Sequence, residues 1–207
     1  MTPPIVPEKP IPVPKLDTLR KLLAECEGTN FESRRGTAII RLLADSGPRI
    51  GELAPLDIDA IEFTENTVLV LGKGRRPRTL PFSDKTRTAL RRYLRARASH
   101  RWAVNDNPAL WLGQQGRMTA SGIQQMIERR ATSAGLDHLH PHQFRHFFAH
   151  NWLAIGGQEQ DLMMLAGWRS RQMIGRYGAS VADEHARDAH RRARLGDQIQ
   201  GLRVSTP

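Results

Sequence analysis

One short stretch of this sequence carries consecutive β-type patterns, and helical patterns lie on both sides of it. The β-type runs, which short connectors join, are Ala60–Phe63, Thr67–Leu71 and Arg78–Phe82. Apolar residues recur at helical spacing in the flanking segments Leu16–Cys26, Phe31–Asp45, Ser83–His100 and Met118–Ala134. One more short apolar strand is expected at Ala109–Leu112. This arrangement predicts a chain that is mostly helical and contains only a small β part.

The charge of the chain indicates an anionic partner. Its 207 residues include 31 Lys and Arg against 21 Asp and Glu, which gives a formal net charge of +10. Nucleic acid is the leading partner class, and a membrane surface is the second. A hydrophobic fraction of 39% is ordinary for one main globular domain.

Several other classes are disfavoured by what the sequence lacks. Cys26 is the only cysteine, so no intrachain disulfide can form and a Cys-based metal site is not expected. No apolar run approaches the roughly 20 residues that span a bilayer, and the N-terminus carries no signal-peptide pattern. A Gly-rich phosphate loop of the P-loop type is also missing. We therefore expect a cytoplasmic protein that uses no cofactor.

Two basic residues stand at positions suited to contact a phosphate. Pro48 is expected at the first position of a short helix. Arg49 would then lie in the first turn of Arg49–Leu53, where the helix N-terminus also favours an anion. Lys73 stands between two glycines in the connector GKGRRP, which predicts an outward-pointing hairpin tip. A solvated cap and a solvated tip are the alternatives for these two residues.

The segment that follows Lys73 is strongly basic. Asp84 is the only acid between Lys73 and Arg101, whereas a solvated face normally mixes charges of both signs. We therefore expect this segment to carry much of the contact with nucleic acid. The residues assigned to that contact are Arg75, Arg76, Arg78, Arg87 and Arg91. Further arginines in or just beyond the helix Ser83–His100 are Arg92, Arg95, Arg97 and Arg101.

The stretch from Pro141 to Tyr177 concentrates side chains that can act on a phosphate. His142 and Arg145 are three residues apart at the start of an apolar helix, so both project from one face and can reach the same small target. After that helix, Trp168 leads to Tyr177, one of only two tyrosines in the chain.

The histidines of this stretch also invite a zinc interpretation. His142, His146 and His150 are spaced four residues apart, but no Asp or Glu lies between Asp137 and Glu159 to complete a ligand set. His146 and His150 are therefore expected to pack and hydrogen-bond inside the domain. A Ser-His-Asp hydrolase is poorly supported as well, because no Ser stands in a G-x-S-x-G setting.

Five short motifs occur in one order along the chain. They are SGPRIGEL around Arg49, GKGRRPRTLPF around Lys73, HPHQFRHFFAH with His142 and Arg145, LAGW ending in Trp168, and RYG with Tyr177. In this order and at this spacing they resemble the tyrosine recombinases, or phage integrases, which share their catalytic domain with type IB topoisomerases. The resemblance covers the chain from about Lys15 to His190. It implies an α+β fold, mostly α-helical with a small three-stranded antiparallel β-sheet, known as the DNA breaking-rejoining fold.

The resemblance also implies a role for each motif. Arg49 and Arg145 would stabilise the extra negative charge on the phosphate oxygens during attack. Tyr177 would be the nucleophile and would form a 3′-phosphotyrosyl intermediate without a metal or ATP. His142 would take its proton or orient the phosphate, and Lys73 would protonate the leaving 5′-oxygen.

The remaining motif positions include one accessory residue and three departures. Glu52 matches an accessory acidic position that orients the site. Trp168 stands where most family members have His; its indole can donate one hydrogen bond but cannot shuttle a proton, so acid–base chemistry falls on His142 and Lys73. Pro48 and Phe147 replace the usual apolar residue and Thr, and neither change removes a needed functional group.

The resemblance divides the chain into three parts. These are a proline-rich arm or linker at residues 1–14, a catalytic domain at 15–195 and a C-terminal tail at 196–207. Family members usually carry a helical core-binding domain before the catalytic domain, and for this chain the expectation is that such a domain was either removed or never present. A helix is expected at Val181–Arg194; it either docks on a neighbouring protomer, by family analogy, or forms a solvated tail.

The predicted function is that of a site-specific DNA recombinase or integrase, bacterial or phage-encoded and nucleoid-associated. Its partner would be double-stranded DNA with a specific recombination site. We expect a tetramer on DNA and a monomer without it. The alternatives are a catalytically idle DNA-binding module of the same fold, a topoisomerase-like or telomere-resolving enzyme, and a His-rich metalloenzyme.

Overall fold

The computed structural model describes residues 13–72, 74–104, 106–137 and 139–178, together with residues 187, 190–194 and 196. For residues 176–178 it describes the backbone only. Lys73, the side chain of Tyr177, most of the helix expected at Val181–Arg194 and nearly all of the arm and tail therefore lie outside the described residues. The domain boundaries expected above stay predictions.

Three helices form the N-terminal part of the fold: α1 (Leu16–Ala24), α2 (Phe31–Ser46) and α3 (Ile50–Leu53). The Asn30 side chain caps α2 by accepting a hydrogen bond of 2.8 Å from the Ser33 N–H. Gly47 ends α2 with a left-handed φ of 60°. A Cβ at Gly47 would meet the Phe148 ring at 2.5 Å, so only glycine lets α2 end directly against the residues that follow Arg145.

The start of α3 differs from the expectation. Arg49 is the N-cap residue, and the helix begins at Ile50, so Arg49 does not lie in the first turn and Pro48 precedes the cap. The physical reason is a one-sided cap, in which the Glu52 carboxylate accepts the Arg49 N–H at 2.8 Å. This hydrogen bond holds the Arg49 backbone in an extended conformation.

The predicted three-stranded antiparallel sheet is confirmed. It consists of β1 (Ile61–Glu62), β2 (Thr67–Leu71) and β3 (Pro77–Pro81), with β2 in the centre. Val68 and Val70 of β2 and Leu80 of β3 are fully buried, as the alternation of side chains along a strand requires. After the sheet, α4 (Asp84–Ala98) packs along α2.

The strand expected at Ala109–Leu112 is wrong over most of its length. Ala109 forms a single bridge with Asp57, and the Leu110 N–H donates to the Leu56 carbonyl at 2.8 Å. The strand pair lies further on, as the hairpin of β4 (Leu112–Gly113) and β5 (Gly116–Arg117). The apolar run 109–112 is buried because it crosses the core as an irregular segment.

The C-terminal part is helical. It consists of α5 (Ala120–Ser133), α6 (Pro141–Ala154), α7 (Glu159–Ala166) and α8 (Gln172–Gly178). Pro141 is the first residue of α6, as predicted, and the Gln143 side chain accepts the His140 N–H at 2.7 Å. Both α7 and α8 pack on α6. No described helix is long and apolar enough to cross a membrane.

The buried apolar side chains form two separate clusters. The main cluster joins α1, α2, the sheet, α4, α5 and the first half of α6, and Trp111, Tyr93 and Phe144 are among its fully buried members. The second cluster joins the second half of α6 with α7 and α8. Its buried members are Phe148, Ala149, Leu153, Leu162, Ala166, Trp168 and Ile174.

Candidate active site

Arg49 and Glu52 form an ion pair at the start of α3. The Arg49 Nη1 donates to the Glu52 Oε1 at 2.9 Å, while the Arg49 N–H donates to Oε2. The Glu52 side chain is buried, whereas the Arg49 side chain keeps 37% of its surface exposed. The Glu52 carboxylate therefore fixes the backbone N–H and one guanidinium nitrogen of Arg49, and it leaves part of the guanidinium accessible to a ligand.

Arg78 completes this network from β3. Its two terminal nitrogens donate to the two Glu52 oxygens at 2.8 and 2.6 Å, and its Nε donates to the Leu165 carbonyl at 3.0 Å. Only 13% of the Arg78 side chain is exposed. This placement departs from the expectation that Arg78 contacts DNA, because the Glu52 carboxylate binds both of its terminal nitrogens and compensates its charge.

The alternation of inward and outward side chains along β3 indicates that Arg78 points inward, which the sequence interpretation missed. Arg78 stands two residues before the buried Leu80 and therefore points to the same side of the strand. An arginine on the inward side of a strand needs hydrogen-bond acceptors, and the Glu52 carboxylate supplies two of them.

Glu52 is held in its charged form by these contacts. Burial alone would raise the pKa of its carboxyl group, but the hydrogen bonds from the Arg78 side chain and the Arg49 N–H outweigh that effect. The pKa of Glu52 is lowered to about 2. The network is therefore fully ionised at neutral pH.

The connector before Lys73 lies against the same network. The Gly72 N–H donates to the Arg76 carbonyl at 2.8 Å, which closes the hairpin. A Cβ at Gly72 would lie 3.0 Å from the Arg78 Nη1 and 3.6 Å from the Glu52 Oε1. The root of the hairpin that carries Lys73 therefore adjoins the Glu52–Arg78 pair, although Lys73 itself lies outside the described residues.

Arg145 joins three of the sequence motifs. Its Nη1 donates to the Gly47 carbonyl at 2.8 Å, two residues before Arg49. Its Nη2 donates to the Ala166 carbonyl, and its guanidinium lies 5.2 Å from the centre of the Trp168 ring. With 5% of its surface exposed, Arg145 holds the Arg49 segment and the Trp168 segment together.

The histidines of α6 differ in their surroundings. His142 is exposed, whereas His146 is half-buried. Burial lowers the pKa of His146, and the nearby His142 and Arg145 lower that pKa further. His150 has a buried Nδ1 atom with no hydrogen-bond partner among the described residues, so the hydrogen bonding expected of His150 is not seen at this nitrogen. Among the described residues, no group of three or more His, Cys, Asp or Glu is placed to hold a metal ion.

Trp168 and the helix of Tyr177 share the second cluster. Trp168 is 7% exposed, and Ile174 of α8 is 2% exposed in the same cluster. Tyr177 lies in α8, but its side chain is outside the described part of the chain. The structure thus brings together Arg49, Glu52, Arg145 and Trp168, and the roles assigned to all site residues remain predictions.

The other arginines assigned to DNA contact lie on the surface or at its edge. Arg75, with a φ of 56°, and Arg76 are exposed on the hairpin. Arg87 forms an ion pair of 3.0 Å with Asp84, and Arg91 lies 5.1 Å from the centre of the Phe63 ring. These positions keep DNA contact available to the four residues.

Arg97 does not belong to the exposed basic surface. It is 5% exposed and donates to the Ala109 carbonyl from Nε at 3.0 Å and to the Asn107 carbonyl from Nη2 at 2.6 Å. The spacing of Leu90, Tyr93 and Arg97 is that of one helix face. This spacing was the available signal that Arg97 points inward.

Comparison with known proteins agrees with this architecture. The model of the phage integrase family matches residues 15–184. A tyrosine recombinase XerC from Alcanivorax borkumensis is 39% identical over 135 residues, which are 64% of this chain and 44% of that protein. A tyrosine recombinase XerC from Corynebacterium efficiens is 35% identical over 166 residues, which are 80% of this chain and 52% of that protein. The chain therefore spans about half the length of these relatives.

Solved structures show the same fold. The crystal structure of XerA recombinase superposes with a TM-score of 0.74 at 27% identity and covers 89% of this chain and 66% of that chain. The XerH site-specific recombinase bound to a palindromic difH substrate gives a TM-score of 0.72 at 20% identity, over 88% of this chain and 53% of that chain. Fold, motif order and family match agree, and the chain belongs to the phage integrase family of tyrosine recombinases.

Proposed function

We propose that this chain is the catalytic part of a site-specific DNA recombinase that cleaves and rejoins strands through a 3′-phosphotyrosyl intermediate. The observation that carries the proposal is the position of Arg145, which bonds to the carbonyls of Gly47 and Ala166 and packs on Trp168. Through Arg145, motifs that are far apart in sequence meet beside the partly exposed Arg49.

The proposed reaction is a transesterification at a DNA phosphate. The Tyr177 oxygen bonds to phosphorus, the bond from phosphorus to the 5′-oxygen breaks, and the phosphate stays on the 3′ end as a tyrosine ester. His142 takes the tyrosine proton or orients the phosphate, and Lys73 gives a proton to the leaving 5′-oxygen. Because one phosphoester replaces another, the strand can be rejoined by the reverse reaction without ATP.

Arg49 and Arg145 supply the positive charge that the crowded phosphate needs. The Glu52–Arg78 pair holds Arg49 in place before DNA arrives, so little reorganisation is required during attack. Trp168 either donates its indole N–H to a phosphate oxygen or packs against Tyr177. Arg78 is a positioning residue in this scheme, because it acts through Glu52 and the end of α7.

The proposed partner is double-stranded DNA with a specific recombination site, in the bacterial nucleoid. The XerH structure, whose chain has the same fold, contains such a substrate. The exposed Arg75, Arg76 and Arg91 and the half-buried Arg87 supply charge for the DNA backbone. We further propose that the protein assembles as a tetramer on DNA and is a monomer without it.

The test is covalent capture on DNA. The protein is incubated with a pool of nicked duplexes that differ in sequence, and adducts are separated on a denaturing gel and sequenced. An adduct that forms in the presence of chelator and is lost in Tyr177→Phe is the expected result. An adduct that persists in Tyr177→Phe would overturn the nucleophile assignment. DNA binding without any adduct would indicate the catalytically idle module instead.

A further inference from the structure

A second concentration of arginines lies towards the other end of α2 from Arg49. It lines a cavity of about 550 Å³ between the first half of α2, the β4–β5 hairpin and the start of α5. We call it the hairpin cavity, and its lining includes Arg35, Arg101, Arg117, Thr119, Gly122 and Arg129. At 1.5 Å per residue, Arg35 lies about 16 Å along α2 from Ser46, so the cavity is separate from the candidate active site.

Arg35 is a buried cation without a carboxylate partner in the described structure. It is 8% exposed, and its Nη1 donates to the Leu112 carbonyl. Its Nε is buried and has no hydrogen-bond partner among the described residues. Arg97 is also buried, but it donates from both Nε and Nη2 to carbonyls, whereas Arg35 has no described acceptor at Nε. The Arg35 guanidinium also lies 5.1 Å from the centre of the Phe31 ring.

The charges that face Arg35 are mostly positive. Burial lowers the pKa of Arg35; Tyr93 and Glu32 partly oppose this shift, while Arg129 and Arg130 add to it. Glu32, the only acid in the lining, is exposed and forms no ion pair with Arg35 within 4 Å. An anion that entered the cavity would therefore relieve an uncompensated positive charge.

The N-terminus of α5 borders the same cavity. Thr119 caps this helix of 14 residues by accepting the Gly122 N–H at 3.1 Å, and both residues line the cavity. The first turn of α5 carries no acidic side chain. The partial positive charge of the helix N-terminus is therefore directed into the cavity without a carboxylate from the first turn to offset it.

We propose that the hairpin cavity binds a phosphate group, held between Arg35, Arg129 and the first turn of α5. The group belongs either to a small free phosphate compound or to the backbone of duplex DNA away from the cleavage position. Only the DNA source rests on the proposed recombinase function. In that case the cavity anchors the duplex at a second point.

The first measurement is a titration with inorganic phosphate, followed by calorimetry and by the shift in melting temperature. Sodium chloride at equal ionic strength controls for screening. Arg129→Gln removes an exposed lining arginine without touching the core, and Arg95→Gln, an exposed arginine of α4 outside the lining, is the matched control. We expect Arg129→Gln to weaken phosphate binding about tenfold and Arg95→Gln to leave it unchanged.

Arg35→Gln tests the buried cation itself. We expect it to abolish phosphate binding, and circular dichroism reports whether the variant is folded. Should it fail to fold, Arg129→Gln and the double variant Arg101→Gln with Arg129→Gln carry the test. Phosphate binding that is equal in wild type, Arg95→Gln and Arg129→Gln would overturn the proposal for a small anion.

The second measurement uses a duplex oligonucleotide of unrelated sequence. If the group is a DNA phosphate, Arg129→Gln lowers duplex affinity more than Arg20→Gln does, whether or not inorganic phosphate binds alone. Arg20 is the control for the duplex because it is an exposed arginine of α1, outside both the cavity lining and the basic segment. If neither phosphate nor duplex distinguishes Arg129→Gln from its control, the site does not exist. Tyr177→Phe separates this result from the recombinase proposal, because that change removes the covalent adduct and leaves both binding measurements intact.

Discussion

The two apolar clusters differ in size and in what they carry. The main cluster buries side chains from α1 to the first half of α6 and supports α3 with Arg49 and Glu52. The second cluster has seven buried members and supports α8, the helix that contains Tyr177. Arg49, which is proposed to bind the phosphate, is therefore supported by the main cluster. Tyr177, the proposed nucleophile, lies on a helix that the second cluster supports.

Polar contacts tie the two clusters together. Arg145 bonds to Gly47, at the end of α2, and to Ala166, at the end of α7. Arg78 bonds to Glu52 and to the Leu165 carbonyl. A smaller core opens at lower free energy than a larger one, so we infer that α7 and α8 depend on these arginines for their position.

The largest effect is expected at Arg145, where the two clusters meet. In Arg145→Ala we expect the rate of adduct formation to fall by about 10²- to 10³-fold, as for loss of one preorganised donor. Hydrogen exchange should also rise in α7 and α8 but not in α2. Arg145→Lys keeps the charge but cannot span both carbonyls, so its exchange pattern should match that of Arg145→Ala. Unchanged exchange in both variants would show that Arg145 does not join the clusters.

The next largest effect is expected for Glu52, whose contribution to the free energy of unfolding is lost over a defined pH range. Because the pKa of Glu52 is lowered from 4.5 to about 2, its contribution to folding is fully present above pH 4.5. That contribution, about 3 kcal/mol, is lost as the pH falls from 4.5 towards 2. We expect Glu52→Gln to lower the free energy of unfolding at pH 7 by a similar amount and to flatten its pH dependence in that range.

Chemical denaturation at pH 7, 4.5 and 3 measures the Glu52 effect. Glu65→Gln, which changes an exposed carboxyl group in the turn between β1 and β2, is the matched control. If Glu52→Gln and wild type lose stability in parallel as the pH falls, the ion pair with Arg78 does not stabilise the site.

A pair of core substitutions separates the two clusters directly. Leu42→Ala in the main cluster and Ile174→Ala in the second should each cost about 2–4 kcal/mol locally. We expect Leu42→Ala to lower the free energy of global unfolding and to leave the adduct rate nearly unchanged under native conditions. Ile174→Ala should do the opposite, because it loosens the helix of Tyr177 while the main core stays intact. Equal loss of global stability in both variants would mean that the clusters unfold as one unit.

Local spacing in the sequence predicted some features of the two clusters but not the contacts that join them. The helices of the main cluster and the three-stranded sheet follow from local spacing, and the structure confirms them within one or two residues at most ends. Motif order identified the four site residues that the structure brings together, namely Arg49, Glu52, Arg145 and Trp168. The hydrogen-bond acceptors of Arg145 were not predictable in the same way. They are backbone carbonyls, those of Gly47 and Ala166, and the sequence does not distinguish them from the carbonyls of other residues.

The basic segment shows where composition alone misleads. Arg78 and Arg97 add to the count of positive charges, but Arg97 is buried against the carbonyls of Asn107 and Ala109. The Arg78 side chain is only 13% exposed because it contacts Glu52 and Leu165. The alternation of β3 and the helical spacing of α4 contain the signal that separates them from Arg75 and Arg91. DNA contacts should therefore be assigned from the charge of each residue together with the side of the strand or helix on which it lies.

The smallest effect is expected at Arg91, on the surface of the main cluster. Arg91→Gln loses one phosphate contact and the contact with Phe63, so stability should change by only about 0.5 kcal/mol. A plot of log affinity for duplex DNA against log salt should become shallower by about one unit. Arg97→Gln is the opposite case, because it should destabilise the fold and leave the salt dependence unchanged. If Arg97→Gln altered the salt slope as much as Arg91→Gln, the distinction between inward and outward arginines on α4 would fail, and DNA would have to reach the buried side of this helix.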